Sequence, residues 1–172
     1  LKLADDSLIM GQRLAEWCGK GPYLEEDIAV INIALDQLGQ ANNFYNLAAN
    51  LFNDGRTADD FAMLRVEKEY LNAQLVELPN GDYANTIMKA YFFAVYQNLL
   101  YENLSHSADE ELRAIAQKSL KEVKYHYTHT ETWMRIFAQG TDESRKRIEA
   151  ALENLWEYTG GLFDEVEEEE NL

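Results

Sequence analysis

The sequence predicts an all-α protein, an antiparallel four-helix bundle with short flanking helices. Three observations carry this. Apolar residues recur at helical spacing along nearly the whole chain. Two of the segments so marked run to about 30 residues, about 45 Å each at 1.5 Å per residue, which suits a bundle more than a compact globule. Only two prolines and nine glycines occur among 172 residues, which argues against an all-β or disordered chain.

The elements follow in order from their start and stop signals. A first helix runs from about Ala4 to Trp17 and ends at Gly19-Lys20-Gly21-Pro22. The second runs from about Leu24 to Phe52 and stops at Asn53-Asp54-Gly55. Thr57-Ala58-Asp59-Asp60 resembles a capping box and opens a third helix to about Val76. That helix is the polar one, with Glu67, Lys68, Glu69 and Asn72, and is expected outside the bundle or at one end. Pro79-Asn80-Gly81-Asp82 is the strongest turn signal. A fourth helix follows from about Tyr83 to Leu104. Ser107-Ala108-Asp109-Glu110 caps a fifth, which runs to about Ala138. Thr141 caps a sixth, which reaches about Phe163. Residues 1–163 thus read as one bundle, and 164–172 as an acidic tail or the start of a further C-terminal segment.

Apolar residues make up 47 %, ample for a core, and the net charge is -16. Asp164, Glu165 and Glu167 to Glu170 concentrate part of that acidity in what reads as a solvated run. So acidic a surface repels phosphate backbones, so no nucleic-acid partner is expected. No apolar run approaches the ~20 residues of a bilayer span and no leader opens the chain, so the expected location is cytoplasmic, with no membrane partner. The single cysteine, Cys18, excludes an internal disulfide and reads as inert packing at a helix end.

Long four-helix bundles can hold a dinuclear metal centre, which needs four inward carboxylates and two imidazoles, with Glu-x-x-His on each of two helices. The three histidines are preceded at that spacing by Asn103, Val123 and His126, so the motif is absent. The places where it would sit are still visible. On the second helix Ile33, Gln37, Gln40, Phe44, Leu47 and Leu51 form one inward stripe. On the fifth, Leu112, Ala116, Ser119, Val123, His126, Thr130, Trp133 and Phe137 do the same. The fourth presents Ile87, Tyr91, Ala94, Asn98 and Tyr101, and the first Ala4, Leu8, Gly11 and Ala15. No carboxylate stands on any stripe, and a neutral amide is a weak ligand for a hard cation. A metal-free interior is expected. Gln37 and Gln40 should bond each other, His126 or a buried water, with His126 a satisfied core histidine. His129 is expected at the surface near Lys124 and Glu131, and Glu122 is expected to pair with His126 across one helical turn. Three tryptophans, ten tyrosines and seven phenylalanines are a heavy aromatic load, pointing to a subunit interface as well as a core.

Four stretches carry a family likeness. They are Gly11-Gln12-Arg13-Leu14-Ala15-Glu16-Trp17-Cys18-Gly19, Leu35-Asp36-Gln37-Leu38-Gly39-Gln40-Ala41, the run from Leu75 to Ala84, and Lys121-Glu122-Val123-Lys124-Tyr125-His126. In register over essentially the whole chain, they resemble the C-subunit family of the multicomponent phenylacetyl-CoA 1,2-epoxidase of aerobic bacterial phenylacetate catabolism. The resemblance implies a ferritin-like fold. It also implies a paralogous A subunit that carries the di-iron centre, binds the CoA thioester and activates dioxygen. Placed on that subunit's ligand motifs, Gln37 and Gln40 take the places of the first Glu-x-x-His, and Val123 and His126 those of the second. Leu8 and Ala94 fall near the two remaining glutamates. These six positions are then a degenerate di-iron site, with no catalytic, cofactor-binding or metal-ligating residue in this chain. Family members run some tens of residues further, so the resemblance implies that a C-terminal segment is expected beyond this chain.

The function expected is a non-catalytic structural subunit. It would dock and support the di-iron A subunit among the other epoxidase subunits, and form a homodimer when alone. Two readings compete. One is an oxidase with a reduced metal site built from His126, Glu122 and Asp36. The other is an acyl-CoA-binding module, for which the chain offers only the scattered basic run Arg145-Lys146-Arg147.

Overall fold

A computed structural model describes residues 1–164, and the acidic run expected beyond Asp164 lies outside them. The described residues hold seven α-helices and no strand. They are α1 (Lys2–Ala15), α2 (Leu24–Phe52), α3 (Ala58–Met63), α4 (Gln74–Glu77), α5 (Tyr83–Leu104), α6 (Glu110–Gln139) and α7 (Asp142–Trp156), with short 3₁₀ turns at Glu67–Glu69 and Gly160–Leu162. No helix among them is long and apolar enough to cross a membrane.

The contacts fix the topology. Asp5 meets Tyr45 and Gly11 faces Leu38, so α1 and α2 run antiparallel. Tyr83 packs on Trp133 and Tyr91 on Tyr127, so α5 and α6 do too. Gln37 meets Gln97 and Phe44 meets Tyr101, which makes α2 and α5 parallel across the bundle diagonal. One crossover through α3 and α4 therefore joins two antiparallel hairpins, as in ferritin-like bundles. Gly11 sets the spacing of the first hairpin, because a Cβ there would lie 3.0 Å from Leu38 Cγ and 3.1 Å from the Ala34 carbonyl.

Most boundaries match the expectation, with α2 and α5 ending where expected. The third helix does not run unbroken to Val76. Its capping box forms, with Thr57 and Asp60 exchanging bonds, but the chain opens after Met63. The reason is α1, where Asp5 and Asp6 are fully buried. Asp5 accepts from the Leu71 N–H at 2.8 Å and Asp6 from the Ala73 N–H at 2.7 Å, bonds that only an extended segment can supply. Three smaller corrections follow. The first helix runs from Lys2 to Ala15, earlier at both ends, and α6 is capped by Asp109, whose carboxylate accepts from Leu112 N–H, with Ser107 Oγ two residues back accepting from Asp109 N–H. The last helix ends at Trp156, since Gly160 and Gly161 lead into the 3₁₀ turn. Cys18, expected as packing at a helix end, is exposed instead.

The crossover is pinned to α1 at two points. At one, Arg65 forms an ion pair with Asp5, and Tyr45 Oη donates to the same carboxylate at 2.6 Å. At the other, cations cap the C-terminal carbonyls of α4. Arg13 Nη2 donates to the Glu77 carbonyl at 2.7 Å and Lys89 Nζ to that of Leu78 at 2.7 Å, while Asn80 Nδ2 returns a bond to the Arg13 carbonyl. Two of the four likeness stretches, Gly11–Gly19 and Leu75–Ala84, are thus the two sides of one contact.

Removing one partner of a buried ion pair leaves the other charge stranded. Asp5→Ala should therefore cost about 3–5 kcal/mol in urea denaturation, against about 0.5 kcal/mol or less for exposed Arg135→Ala. Burial pulls the Lys89 ammonium down to about 8 from 10.5, Arg13 adding to the effect and Glu16 opposing it. Between those values the unfolded chain holds a proton that the folded chain does not, so stability should rise with pH from 8 to about 10. In Lys89→Met that rise should vanish from denaturation curves taken across the range.

Candidate functional site

Two apolar clusters fill the bundle. One gathers Met10, Leu14, Ile33, Met88 and Phe93 at the end near the α1–α2 turn, and the other Leu8, Phe44, Tyr45, Tyr101 and Val123 towards the opposite end. Between them lies a polar layer of Ser7, Gln37, Gln40, Gln97, Tyr101 and His126, all buried. Its existence follows from the α2 and α6 stripes, where amides and an imidazole interrupt apolar faces.

The bonding within the layer is reciprocal. Gln37 Nε2 donates to Gln97 Oε1 at 2.7 Å, and Gln97 Nε2 donates back to Gln37 Oε1 at 3.1 Å. Gln97 Nε2 also lies 3.3 Å from Gln40 Oε1 and 3.1 Å from Tyr101 Oη, and Tyr101 donates to Gln40 Oε1 at 3.2 Å. Burial holds the Tyr101 phenol well above its ordinary range, so it stays a neutral donor. Gln37 Nε2 meets His126 Nδ1 at 3.4 Å, which makes Nδ1 the acceptor. His126 Nε2 therefore carries the proton and donates to Asp36 Oδ2 at 2.9 Å. Gln40 Nε2 donates to Glu122 Oε2 at 2.9 Å at the rim.

Several expectations change here. Gln37 and Gln40 meet through Gln97, which the α5 stripe had passed over in favour of Asn98; Asn98 and Tyr91 are only partly buried. Leu51 and Ala15 are exposed, and Leu112 and Phe137 half-buried, so the stripes fray at their ends. Glu122 serves Gln40 and His126 takes Asp36, instead of the pairing along α6. His129 is half-buried and lies 3.3 Å from Glu26, whose same oxygen also accepts from Tyr83 Oη and Trp133 Nε1. Desolvation lowers the pKa of His129, with Glu26 opposing and His126 adding to it. Carboxylates are buried on α1, where Asp5 and Asp6 serve the crossover by accepting from the Leu71 and Ala73 N–H groups.

The donor set does not fit a di-iron centre. Leu8, Ala94 and Val123 bring no donor atom, the two glutamines are neutral and already paired, and His126 has both ring nitrogens engaged. No group of three or more His, Cys, Asp or Glu is placed to hold a metal ion among the described residues. The cavity beside His126, lined by Met10, Ile33, Phe93 and Ala94 among others, measures about 10 Å³, room for one water at most.

The phenylacetic acid catabolic protein family matches residues 1–172, the whole chain. The chain is 43 % identical over 164 residues to the C subunit of the 1,2-phenylacetyl-CoA epoxidase of Escherichia coli (strain K12). The match covers 95 % of this chain and 66 % of that relative, just under two thirds of its length.

His126→Ala strands the Gln37 amide and the Asp36 carboxylate and should cost about 1–3 kcal/mol by chemical denaturation, with helicity retained.

Proposed function

We propose, for a chain that belongs to the phenylacetic acid catabolic protein family, a non-catalytic structural role in a multicomponent phenylacetyl-CoA 1,2-epoxidase of aerobic phenylacetate catabolism. In this reading the chain docks and supports a paralogous di-iron A subunit alongside the other epoxidase subunits, and associates with itself when they are absent. The observation that carries it is the polar layer. Where a dinuclear centre would need charged ligands, Gln37, Gln40 and Gln97 satisfy one another. A bundle whose central layer is built from neutral side chains in place of charged ligands keeps its shape without metal and offers its outside to partners.

Features of the fold weigh against the competing readings. An oxidase using Asp36, Glu122 and His126 needs all three on one ion, yet Glu122 turns to Gln40 while Asp36 turns to His126. An acyl-CoA site needs free cations for the phosphates. Arg145 donates to the Ala138 carbonyl and Arg147 pairs with Glu143 and Asp82.

Co-expression with the di-iron subunit of the same complex tests the role. The two should co-purify, with iron following the partner. This chain alone, reconstituted with ferrous iron, should retain far less than one iron per chain. Near two irons per chain, or no association with the catalytic subunit in the presence of the other components, would contradict the proposal.

A further inference from the structure

We infer that the outer face of α2 is a two-fold contact between two copies of this chain, with Leu35 at the axis and Ile31 of each copy seated over Gly39 of the other. This inference rests on the self-association in the reading above and names the surface that carries it.

The face stands out first by its charge. The chain carries -16, yet among the exposed residues of the 29-residue helix α2 only Glu25, in its first turn, is ionisable. Asp27 is occupied in its own turn, accepting from the Lys20 and Gly21 N–H groups, and Asp36 is held by His126. Apolar side chains stand in place of charges, with Leu24 70 % exposed, Ile28 52 % and Leu35 60 %. Together with the partly buried Ile31 they recur at spacings that keep one helix face. Two chains of the same strong charge repel wherever both present carboxylates. This strip, about 33 Å long from Leu24 to Asn46 at 1.5 Å per residue, lets a like-charged copy approach closely. A basic partner would gain nothing from so neutral a face and would be drawn to the acidic ones.

Second, the face is complementary to itself. The same line continues through Gly39, Asn42 and Asn46, so large residues fill its first half and small or short ones its second. Laid antiparallel on its own copy about Leu35, the strip sets Ile31 against Gly39, Ile28 against Asn42 and Leu24 against Asn46. That is the isologous pattern a closed dimer requires, with each knob meeting a hollow.

Third, Gly39 has no reason within the chain to be glycine. It sits mid-helix, and a Cβ built there meets nothing within 4 Å. Alanine would strengthen the helix. A neighbour approaching from outside accounts for the missing side chain. Gly11, by contrast, faces Leu38 within its own hairpin.

Gly39→Leu is the decisive variant, because the open space leaves the monomer undisturbed. By sedimentation equilibrium the full chain should be a dimer at micromolar concentration, and Gly39→Leu should weaken that dimer by about tenfold or more, with undiminished helicity and thermal stability. Leu35→Asp, which sets two like charges on the axis, should do the same. In a Cys18→Ser background, Leu35→Cys should oxidise to a disulfide-linked dimer and Leu24→Cys should not. A chain that is monomeric while still binding the catalytic subunit would overturn this inference and leave the scaffold reading standing. A dimer indifferent to both variants would overturn it too, as would loss of catalytic-subunit binding in Gly39→Leu, which would assign the face to that partner.

Discussion

The four long helices meet around a layer whose polar atoms must be satisfied by side chains alone. Gln37 and Gln97 do this with a reciprocal pair of hydrogen bonds, and Gln40, Tyr101 and His126 extend the pair to both sides. An unpaired amide at this depth is costly, so each member fixes the rotamer of the next, and the register of α2, α5 and α6 is fixed with them. The apolar clusters on either side tolerate small slips of packing. The polar layer does not. It also sets the chemistry, because amides engaged with one another are poor ligands for a hard cation.

The second constraint is the crossover. A ferritin-like bundle must carry its chain from the end of α2 back to the start of α5. Here it does so with little regular structure and much backbone left to satisfy. Charged groups of α1 and α5 supply that satisfaction. Asp5 and Asp6 hold the Leu71 and Ala73 amides, and Arg13 and Lys89 hold the Glu77 and Leu78 carbonyls. The first helix is therefore as much a clamp for the crossover as a wall of the bundle. The conspicuous sequence stretches sort accordingly. Arg13 to Trp17 with Leu75 to Ala84 builds the clamp, and Asp36 to Gln40 with Glu122 to His126 builds the polar layer.

The helical spacing alone makes the bundle legible, because α2 and α6 keep one apolar stripe over many turns. The amides at Gln37 and Gln40 and the imidazole at His126 are legible for the same reason, since each interrupts that stripe. Gln97 is not, because α5 is buried nearly all round and a helix with no polar face gives no phase to read. The buried Asp5, Asp6 and Lys89 are hidden for a different reason. A charge in a sequence reads as solvent-facing, and only long-range backbone partners, 66 and 67 residues away for the two aspartates, turn it inward. The same partners break the third helix, whose local signals are helical to Val76. His129 likewise reads as a surface residue until Glu26, far off in sequence, is seen beside it.

The central claim is that the mid-bundle amides serve one another. A double-mutant cycle on Gln37→Leu and Gln97→Leu, measured by urea denaturation, tests it most directly. Each single variant strands its partner and should cost about 1–3 kcal/mol, while the double variant should cost about as much as one single, a coupling of about 1 kcal/mol or more. Costs that simply add, with no coupling between the two positions, would contradict the account.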